Sequence, residues 1–376
     1  MKKFQISAGI ITAVCVILII VFGLVQTGLS RKLDCQQVVS RWAADGTRYA
    51  QLTAVISPYA GFDESMAAGS VPSSIDSALT GASISSSSEN EGARLYAYAY
   101  SAETDVTLSR EDPENGKAVK SGIRATATGV GKDFFVFHRL KMLSGQYFNT
   151  DDKIYTEQCI IDNNLAWQLF GSSDVVGREI EVNGVTFNIS GVCEVDPDYK
   201  QFYGENGRMF LIYSTLKSVT VGSDGELPIT CFEICMPDPV TNFAKDAVAK
   251  AVSVDETEYE LIENSARFTD RGLLANLKTS AERSVRQKLV VYPYWENTAT
   301  ILADKAAGLY VFKFVPIVII CLLAAAEVVL FYINRKKIFT AAWDGIKKWW
   351  KNYRYSHPKK SKKLKKGEEI GVSKSV

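Results

Sequence analysis

Two long runs of apolar residues constrain this chain more than any other feature of its sequence. Residues 4–29 contain no charged side chain, and residues 314–333 contain one, Glu327. A helix of about 20 apolar residues crosses a hydrocarbon layer of about 30 Å, so both runs are long enough to span a membrane. We predict spans within residues 1–30 and 309–334. The first run is too long for the apolar region of a signal peptide and no A-x-A cleavage site follows it, which favours a retained anchor.

The charges beside the two runs predict the orientation of the chain. Lys2 and Lys3 precede the first run, and Arg335, Lys336 and Lys337 follow the second. The positive-inside rule then places both termini in the cytoplasm of a cell membrane and residues 31–308 outside. The net charge of +1 conceals a basic segment after residue 334 and an acidic portion between the runs. This separation is typical of a membrane protein and argues against a nucleic-acid partner.

The portion between the runs mixes strand and helix patterns. Thr230–Met236 and Tyr259–Ile262 are predicted strands on either side of a predicted helix at Val240–Val252, which is the order of a β-α-β unit. About 280 residues is large for one core, so we expect an α+β extracytoplasmic domain of two lobes. Five cysteines lie in this portion, an odd number without the spacing of a disulfide framework. We expect them to be buried small residues: Cys35, Cys159, Cys193, Cys231 and Cys235.

Residues 163–192 carry the sharpest local predictions. Asp162 or Asn163 is a suitable cap for a short helix that Gly171 ends in a left-handed conformation. Asn183-Gly184 is a strong two-residue turn signal, since both positions require a positive φ. The turn pairs Val182 with Val185 and Ile180 with Phe187 in a half-buried hairpin.

This segment resembles the periplasmic core domain of MacB/FtsX-type ABC transporter permeases. The residues that carry the resemblance are Gly145, Leu169, Phe170, Gly171, Gly177, Asn183, Gly184, Gly191 and Val192. The resemblance implies an inserted lobe at about 131–222 within a second lobe. It also implies a separate ABC ATPase and a second permease chain as partners. Permeases of this type usually have four spans, whereas this chain has two predicted spans.

The sequence offers little for catalysis. It contains no G-x-x-x-x-G-K-[ST] motif to hold nucleotide phosphates, so an ATPase would be a separate chain. His138 and His357 are the two histidines of the sequence, which excludes an H-E-x-x-H metal site. We interpret His138, beside three phenylalanines, as a packing residue on a helix face. No enzyme activity, cofactor or metal is expected.

Glu327 is the one carboxylate of the second predicted span. An ionised carboxylate near the middle of a membrane costs on the order of 3 kcal/mol or more. Two interpretations stay open: a contact with a partner helix, or a protonated side chain tolerated near the interface.

The residues after the second span form an amphipathic pattern. At 100° per residue, one arc of a helix over 338–353 collects Ile338, Phe339, Trp343, Ile346, Trp349, Trp350 and Tyr353. Lysines lie opposite, and residues 359–366 add six more. This pattern predicts a helix in the membrane interface and a tail that binds anionic lipid. The family resemblance implies the alternative that the helix docks an ATPase.

Two functional hypotheses follow. The first is a permease-like subunit of a MacB/FtsX-type complex, which relays ATPase-driven motion to the extracytoplasmic domain. The second is a membrane-anchored binding, sensing or adaptor module without transport activity of its own. The sequence does not identify a ligand.

Overall fold

The computed structural model describes residues 2–43, 48–85, 94–111, 118–151, 156–222, 225–279 and 290–356. The α-helices are α1 (Lys2–Arg31), α2 (Val38–Trp42), α3 (Val71–Gly81), α4 (Phe134–Phe137), α5 (Asn163–Phe170), α6 (Pro197–Tyr203), α7 (Tyr213–Val221), α8 (Phe243–Val252), α9 (Asp270–Thr279) and α10 (Tyr294–Ser356). The strands are β1 (Tyr49–Ile56), β2 (Ala97–Glu111), β3 (Ala118–Lys132), β4 (Met142–Gly145), β5 (Gln158–Asp162), β6 (Glu179–Val182), β7 (Val185–Cys193), β8 (Gly207–Ile212), β9 (Cys231–Pro237) and β10 (Tyr259–Glu263).

The described strands form one mixed sheet. Nine of them follow the order β10-β1-β9-β2-β3-β8-β5-β7-β4, and β6 pairs with both β2 and β7. The central hairpin of β2 and β3 joins the two ends of the sheet. Residues 20–313 form one compact unit, and the described residues outside this range belong to a second unit.

The α+β class predicted from the sequence is confirmed. The expected lobes, however, share one sheet and do not have separate sheets. Strands β4 to β8, from within the predicted inserted lobe at 131–222, build one end, and β1, β9 and β10 build the other. The lobe boundaries themselves stay a prediction.

The two faces of the sheet differ in polarity. One face is covered by α3, α5, α7 and α8 over a large apolar core that includes Leu52, Phe232 and Leu211. The opposite face has a smaller apolar core and also carries a band of buried polar residues. These are Thr53 on β1, Glu233 on β9, Ser101 on β2, Thr128 on β3 and Arg208 on β8. Buried polar groups require partners, so this face determines what can pack on it.

The predicted motif segment folds as expected. Asp162 caps α5 by accepting a hydrogen bond from the backbone of Leu165 at 2.7 Å, and Gly171 follows the helix with φ +67°. The hairpin pairs Ile180 with Phe187 and Val182 with Val185. Its turn residues have φ values of +48° and +89°. Val182 is buried, whereas Val185 beside the turn is exposed, so the apolar face is half-buried, as predicted.

The predicted β-α-β order is also confirmed. β9, α8 and β10 follow one another in the chain, and β1 lies between the two strands, antiparallel to both. α9 follows β10 and ends at Thr279, and residues 280–289 lie outside the described part.

Among the described residues, two helices are long and apolar enough to cross a membrane. These segments are Gln5–Arg31 in α1 and Tyr294–Lys337 in α10. The helix α10 is 63 residues long, with Pro316 the proline inside it. At 1.5 Å per residue, roughly 30 Å of helix separates its first residue from the apolar run that starts at Phe314.

Glycines in the motif segment permit a close approach of β4 and β7. A Cβ atom on Gly145, whose φ is +74°, would lie 2.2 Å from the carbonyl oxygen of Ser190. A Cβ on Gly191 would lie 2.3 Å from the side chain of Met142. Larger residues at these two positions would force the strands apart.

We predict that Gly145→Ala destabilises the chain more than Gly171→Ala. Both glycines have a positive φ, but a Cβ on Gly171 would meet nothing within 4 Å. A left-handed alanine alone costs about 1–2 kcal/mol. We therefore expect a loss of about that size for Gly171→Ala and at least about twice that for Gly145→Ala, measured by urea unfolding in detergent. Equal losses would contradict the close approach.

The cysteines between the two long helices are free thiols, as expected. Four are buried and Cys35 is half-buried. Burial raises the pKa of Cys193 and of Cys235 to about 12, and it raises those of Cys35, Cys159 and Cys231 as well.

We predict that these five thiols resist alkylation in the native chain. The thiolate is the reactive form, so a raised pKa keeps each thiol protonated and inert at pH 8. Iodoacetamide followed by peptide mass spectrometry should find them unmodified before denaturation and fully modified after it. The exposed variant Tyr59→Cys is the positive control, and rapid native modification of Cys193 or Cys235 would contradict the prediction.

Candidate functional site: the first turn of α10

The first turn of α10 is buried against the polar face of the sheet. Tyr294, Trp295 and Glu296 are each at most 6% exposed. Pro293 precedes them, and its carbonyl accepts hydrogen bonds from the backbone of Glu296 at 3.0 Å and of Asn297 at 3.1 Å. Three consecutive side chains thus leave the helix start in different directions, and each contacts a different part of the sheet unit.

Tyr294 is held by two charged residues. Its hydroxyl accepts a hydrogen bond from Nη1 of Arg208 and donates one to Oδ2 of Asp196 at 2.8 Å. Burial raises the pKa of Tyr294 well above its usual value, so the phenol keeps the proton that it donates. The contact therefore joins α10 to β8 and to the loop before α6.

Arg208 lies at the centre of an aromatic cage. Its guanidinium carbon is 4.4 Å from the ring centre of Phe210, 4.6 Å from that of Tyr294 and 5.1 Å from that of Tyr199. Nη2 is 3.6 Å from a carboxylate oxygen of Glu103 on β2. The side chain is only 4% exposed. Buried charges need such partners because desolvation costs several kcal/mol per ion.

Trp295 packs against His138. The two ring centres are 4.5 Å apart, and His138 stacks on Phe134 at 4.6 Å. Nε2 of His138 forms a hydrogen-bonded pair with the buried carboxylate of Glu233. Packing of His138 on an aromatic residue is as predicted. However, His138 follows the last residue of α4 instead of lying on its face, and its pairing with Glu233 was not expected.

The Glu233 carboxylate belongs to a longer polar chain. It accepts a hydrogen bond from the hydroxyl of Thr53 at 3.3 Å, and this hydroxyl accepts one from Asn264 at 2.7 Å. The position of His138 is therefore fixed from β9 and β1, which in turn fixes the surface on which Trp295 packs.

Glu296 makes the third attachment. Its carboxylate pairs with Arg267, which follows β10, and both side chains are almost fully buried. Burial raises the pKa of Glu296, and the charge of Arg267 opposes that shift. This pair joins the first turn of α10 to the far end of the sheet.

A second contact lies further along α10. Ala306, Ala307 and Tyr310 pack with Leu273 of α9 and with Leu29 of α1. The side chain of Gln26 on α1 donates a hydrogen bond to the carbonyl of Phe268 at 3.4 Å. The two long helices are thus linked to the sheet unit through α9 and the turn before it.

A cleft of about 340 Å³ opens beside Trp295. It lies between the start of α10, the residues after α1, the residues after α4 and the loop before α6. Its lining is charged at the rim and aromatic inside: Lys32, Asp34, Arg139, Glu194, Asp198, His138, Tyr294 and Trp295 belong to it.

The site residues predicted from the sequence lie elsewhere. Glu327 is exposed on α10, and it forms no hydrogen bond or ion pair with the described residues. Phe339, Trp343, Ile346, Trp349, Trp350 and Tyr353 are 44–66% exposed. The side chain of Ile338 and the tail at 359–366 lie outside the described part. α10 runs through residues 338–353 without a break, and the placement of this segment in a membrane interface stays a prediction.

The site residues predicted from the sequence do not include Arg208, Tyr294, Glu233 or Glu296. A signal was present for Arg208, since a charge within the apolar strand Gly207–Ile212 must find a partner if both faces are covered. Nothing local pointed to the partner itself, because Tyr294 is 86 positions away.

A family model described as the MacB-like periplasmic core domain matches residues 10–234. The chain is 36% identical over 101 residues to the macrolide export ATP-binding/permease protein MacB of Chromobacterium violaceum, covering 27% of this chain and 15% of the relative. It is 25% identical over 162 residues to the protein of the same name of Campylobacter jejuni, covering 42% and 25%. The chain thus matches only a small part of these relatives.

Two solved structures are similar in part. The periplasmic region of MacB from Actinobacillus actinomycetemcomitans has a TM-score of 0.38 and 13% identity, over 62% of this chain and 92% of that one. The extracellular domain of the noncanonic ABC-type transporter YknZ from Gram-positive bacteria has a TM-score of 0.35 and 16% identity, over 56% and 99%.

We predict that Tyr294→Phe destabilises the chain by about 1–3 kcal/mol. The change removes one hydroxyl and leaves a donor of the buried Arg208 without its acceptor. Tyr59→Phe is the matched control, because Tyr59 is 78% exposed and should change stability by less than about 0.5 kcal/mol. Urea unfolding of the full chain in detergent measures both free energies of unfolding. Equal values for Tyr294→Phe and Tyr59→Phe would show that the Tyr294 hydroxyl does not stabilise the chain.

Proposed function

The chain belongs to the family of MacB-like periplasmic core domains, and from this membership we propose that it is a permease-like membrane subunit of a MacB/FtsX-type ABC transporter complex. In this proposal an ATPase on a separate chain drives movement of the helices that cross the membrane. The movement reaches the extracytoplasmic domain through the first turn of α10. The chain itself carries no P-loop motif, so its own contribution is mechanical.

The observation that carries this proposal is the continuity of α10. One uninterrupted helix contains both the three attached residues at its start and the apolar run at 314–333. An α-helix is stiff along its axis because every turn is hydrogen-bonded to the next. In the proposal, movement of the apolar part is passed along α10, in which Pro316 lacks a backbone N–H, to the residues Tyr294, Trp295 and Glu296.

The proposed location is the cell membrane, with both termini in the cytoplasm. The basic residues at positions 2–3 and 335–337 support this orientation under the positive-inside rule. The acidic portion between the two apolar runs would then lie outside.

The proposed contact with a second permease chain is Glu327. Its side chain is exposed on α10 within the apolar run. A carboxylate in hydrocarbon costs on the order of 3 kcal/mol, so a polar group on a partner helix would stabilise it.

The proposed contact with the ATPase is the aromatic face after the span. Trp349 stacks on Tyr353 with ring centres 5.5 Å apart, and the guanidinium of Arg354 lies 5.4 Å from the ring of Trp350. An exposed aromatic stripe at i, i+3 and i+4 spacing fits an apolar groove on a partner. We assign attachment to anionic lipid to the lysines of this helix and of the tail at 359–366.

The second candidate function is a membrane-anchored binding or sensing module. The cleft of about 340 Å³ beside Trp295 favours it, because a ligand there would touch the start of α10 directly. The two functions differ in whether other transporter subunits accompany the chain.

We predict that a tagged full chain recovered in mild detergent brings down an ABC ATPase and a second permease. Glu327→Leu should lose the second permease, because it removes the polar group that the partner helix satisfies. Deletion of residues 357–376 should reduce recovery of anionic lipid, because it removes the lysines of the tail. Proteomic and lipid analysis of the eluate measures all three.

The matched control is Val328→Leu, since Val328 is 68% exposed on the same helix and stays apolar after the change. It should retain both partners. A chain that is recovered alone in every version would contradict the permease proposal and favour the anchored module.

A further inference from the structure

The attachment of α10 to the sheet is polar and aromatic, unlike the rest of the packing in this unit. Tyr294 is held by Arg208 and Asp196, Trp295 by the ring of His138, and Glu296 by Arg267. The two larger apolar cores lie on other elements, whereas α10 contributes Tyr294 and Trp295 to one small cluster and Ala306, Ala307 and Tyr310 to another. Contacts of this kind break one at a time and re-form with water or with other partners, whereas interdigitated apolar side chains resist separation.

The indole N–H of Trp295 lacks a hydrogen-bond acceptor among the described residues in the position where the ring packs against His138. Its indole Nε1 is buried, and within the described ranges no acceptor lies within hydrogen-bonding distance of it. A buried donor without a partner disfavours the state that contains it. Movement of the ring toward solvent would give this N–H a hydrogen bond to water. The free-energy difference between the packed position and a position in solvent is therefore smaller than the burial of the ring alone implies.

The cleft provides the space for such a movement. It has a volume of about 340 Å³ and borders Trp295 directly. The other side of the cleft is formed by residues whose side chains are exposed or half-buried, among them Arg139 and Leu140. An indole ring fits within this volume without displacing a strand.

We propose that the first turn of α10 is a releasable latch, in which Trp295 moves from its place against His138 into the cleft while the sheet stays folded. Release frees the start of α10 from its aromatic contact with the residues after α4. The inference rests on the proposed function for its consequence: a released latch would stop the relay of helix movement to the sheet. The latch itself requires no partner chain.

Hydrogen exchange of the full chain in detergent tests the latch. The amides of residues 296–302 report local release, and those of β8 and β9 report global unfolding. Arg139→Cys modified with pyrene maleimide fills the cleft, and we expect exchange of the 296–302 amides to slow about tenfold relative to the unmodified variant, which equals a shift of about 1.4 kcal/mol. Tyr59→Cys with the same label is the matched control and should change nothing. Cys321 is labelled equally in both.

A second variant, Leu140→Trp, fills the cleft without a label and should slow the same amides. Unchanged exchange in either filled variant would overturn the latch. The latch would also be overturned if, in the unmodified chain, the amides of residues 296–302 exchanged no faster than those of β8 and β9. Because the measurement uses the isolated chain, failure to recover an ATPase would leave its result unaffected.

Discussion

The buried guanidinium of Arg208 is the interaction on which the arrangement of this protein depends. A charge that is 4% exposed on a central strand is tolerated only if the structure surrounds it with acceptors and aromatic faces. Glu103 supplies one carboxylate from the neighbouring part of the sheet, and Tyr294 supplies both a ring and a hydroxyl from the start of α10. The start of α10 is therefore positioned by the need of the buried Arg208 charge for partners.

The need of buried polar groups for hydrogen-bond partners applies to the whole polar face of the sheet. Polar side chains lie on this face at Thr53 of β1, Glu233 of β9 and Arg208 of β8. Each has a partner outside the strands: Asn264 for Thr53, His138 for Glu233 and Tyr294 for Arg208. The opposite face is apolar and holds α3, α5, α7 and α8 by ordinary burial. One face therefore stabilises the fold, while the other positions α10 with directional contacts. Directional contacts specify an orientation as well as a distance.

Local structure was predictable from the sequence, whereas the contacts between the sheet and the first turn of α10 were not. The cap at Asp162, the left-handed Gly171 and the hairpin at Asn183-Gly184 are set by residues a few positions apart, so propensity and spacing identify them. The pairs Arg208–Tyr294 and His138–Glu233 join residues 86 and 95 positions apart, and no periodicity encodes such distances. The two lobes were expected from the length of the chain and from the family resemblance, and the long β2–β3 hairpin continues one sheet between them. Likewise, the pattern at 338–353 predicted a helix, but nothing in it showed that this helix continues the one that contains the preceding apolar run.

The most direct test of this account is the coupling energy between Arg208 and Tyr294. A double-mutant cycle of Arg208→Met and Tyr294→Phe, with each unfolding free energy measured in the full chain, isolates their interaction from the other effects of each change. The account predicts a coupling of about 1–3 kcal/mol, as found for contacting residues in one buried network. A coupling below about 0.3 kcal/mol would mean that the two side chains act independently, and the joint between the sheet and α10 would then have to lie elsewhere.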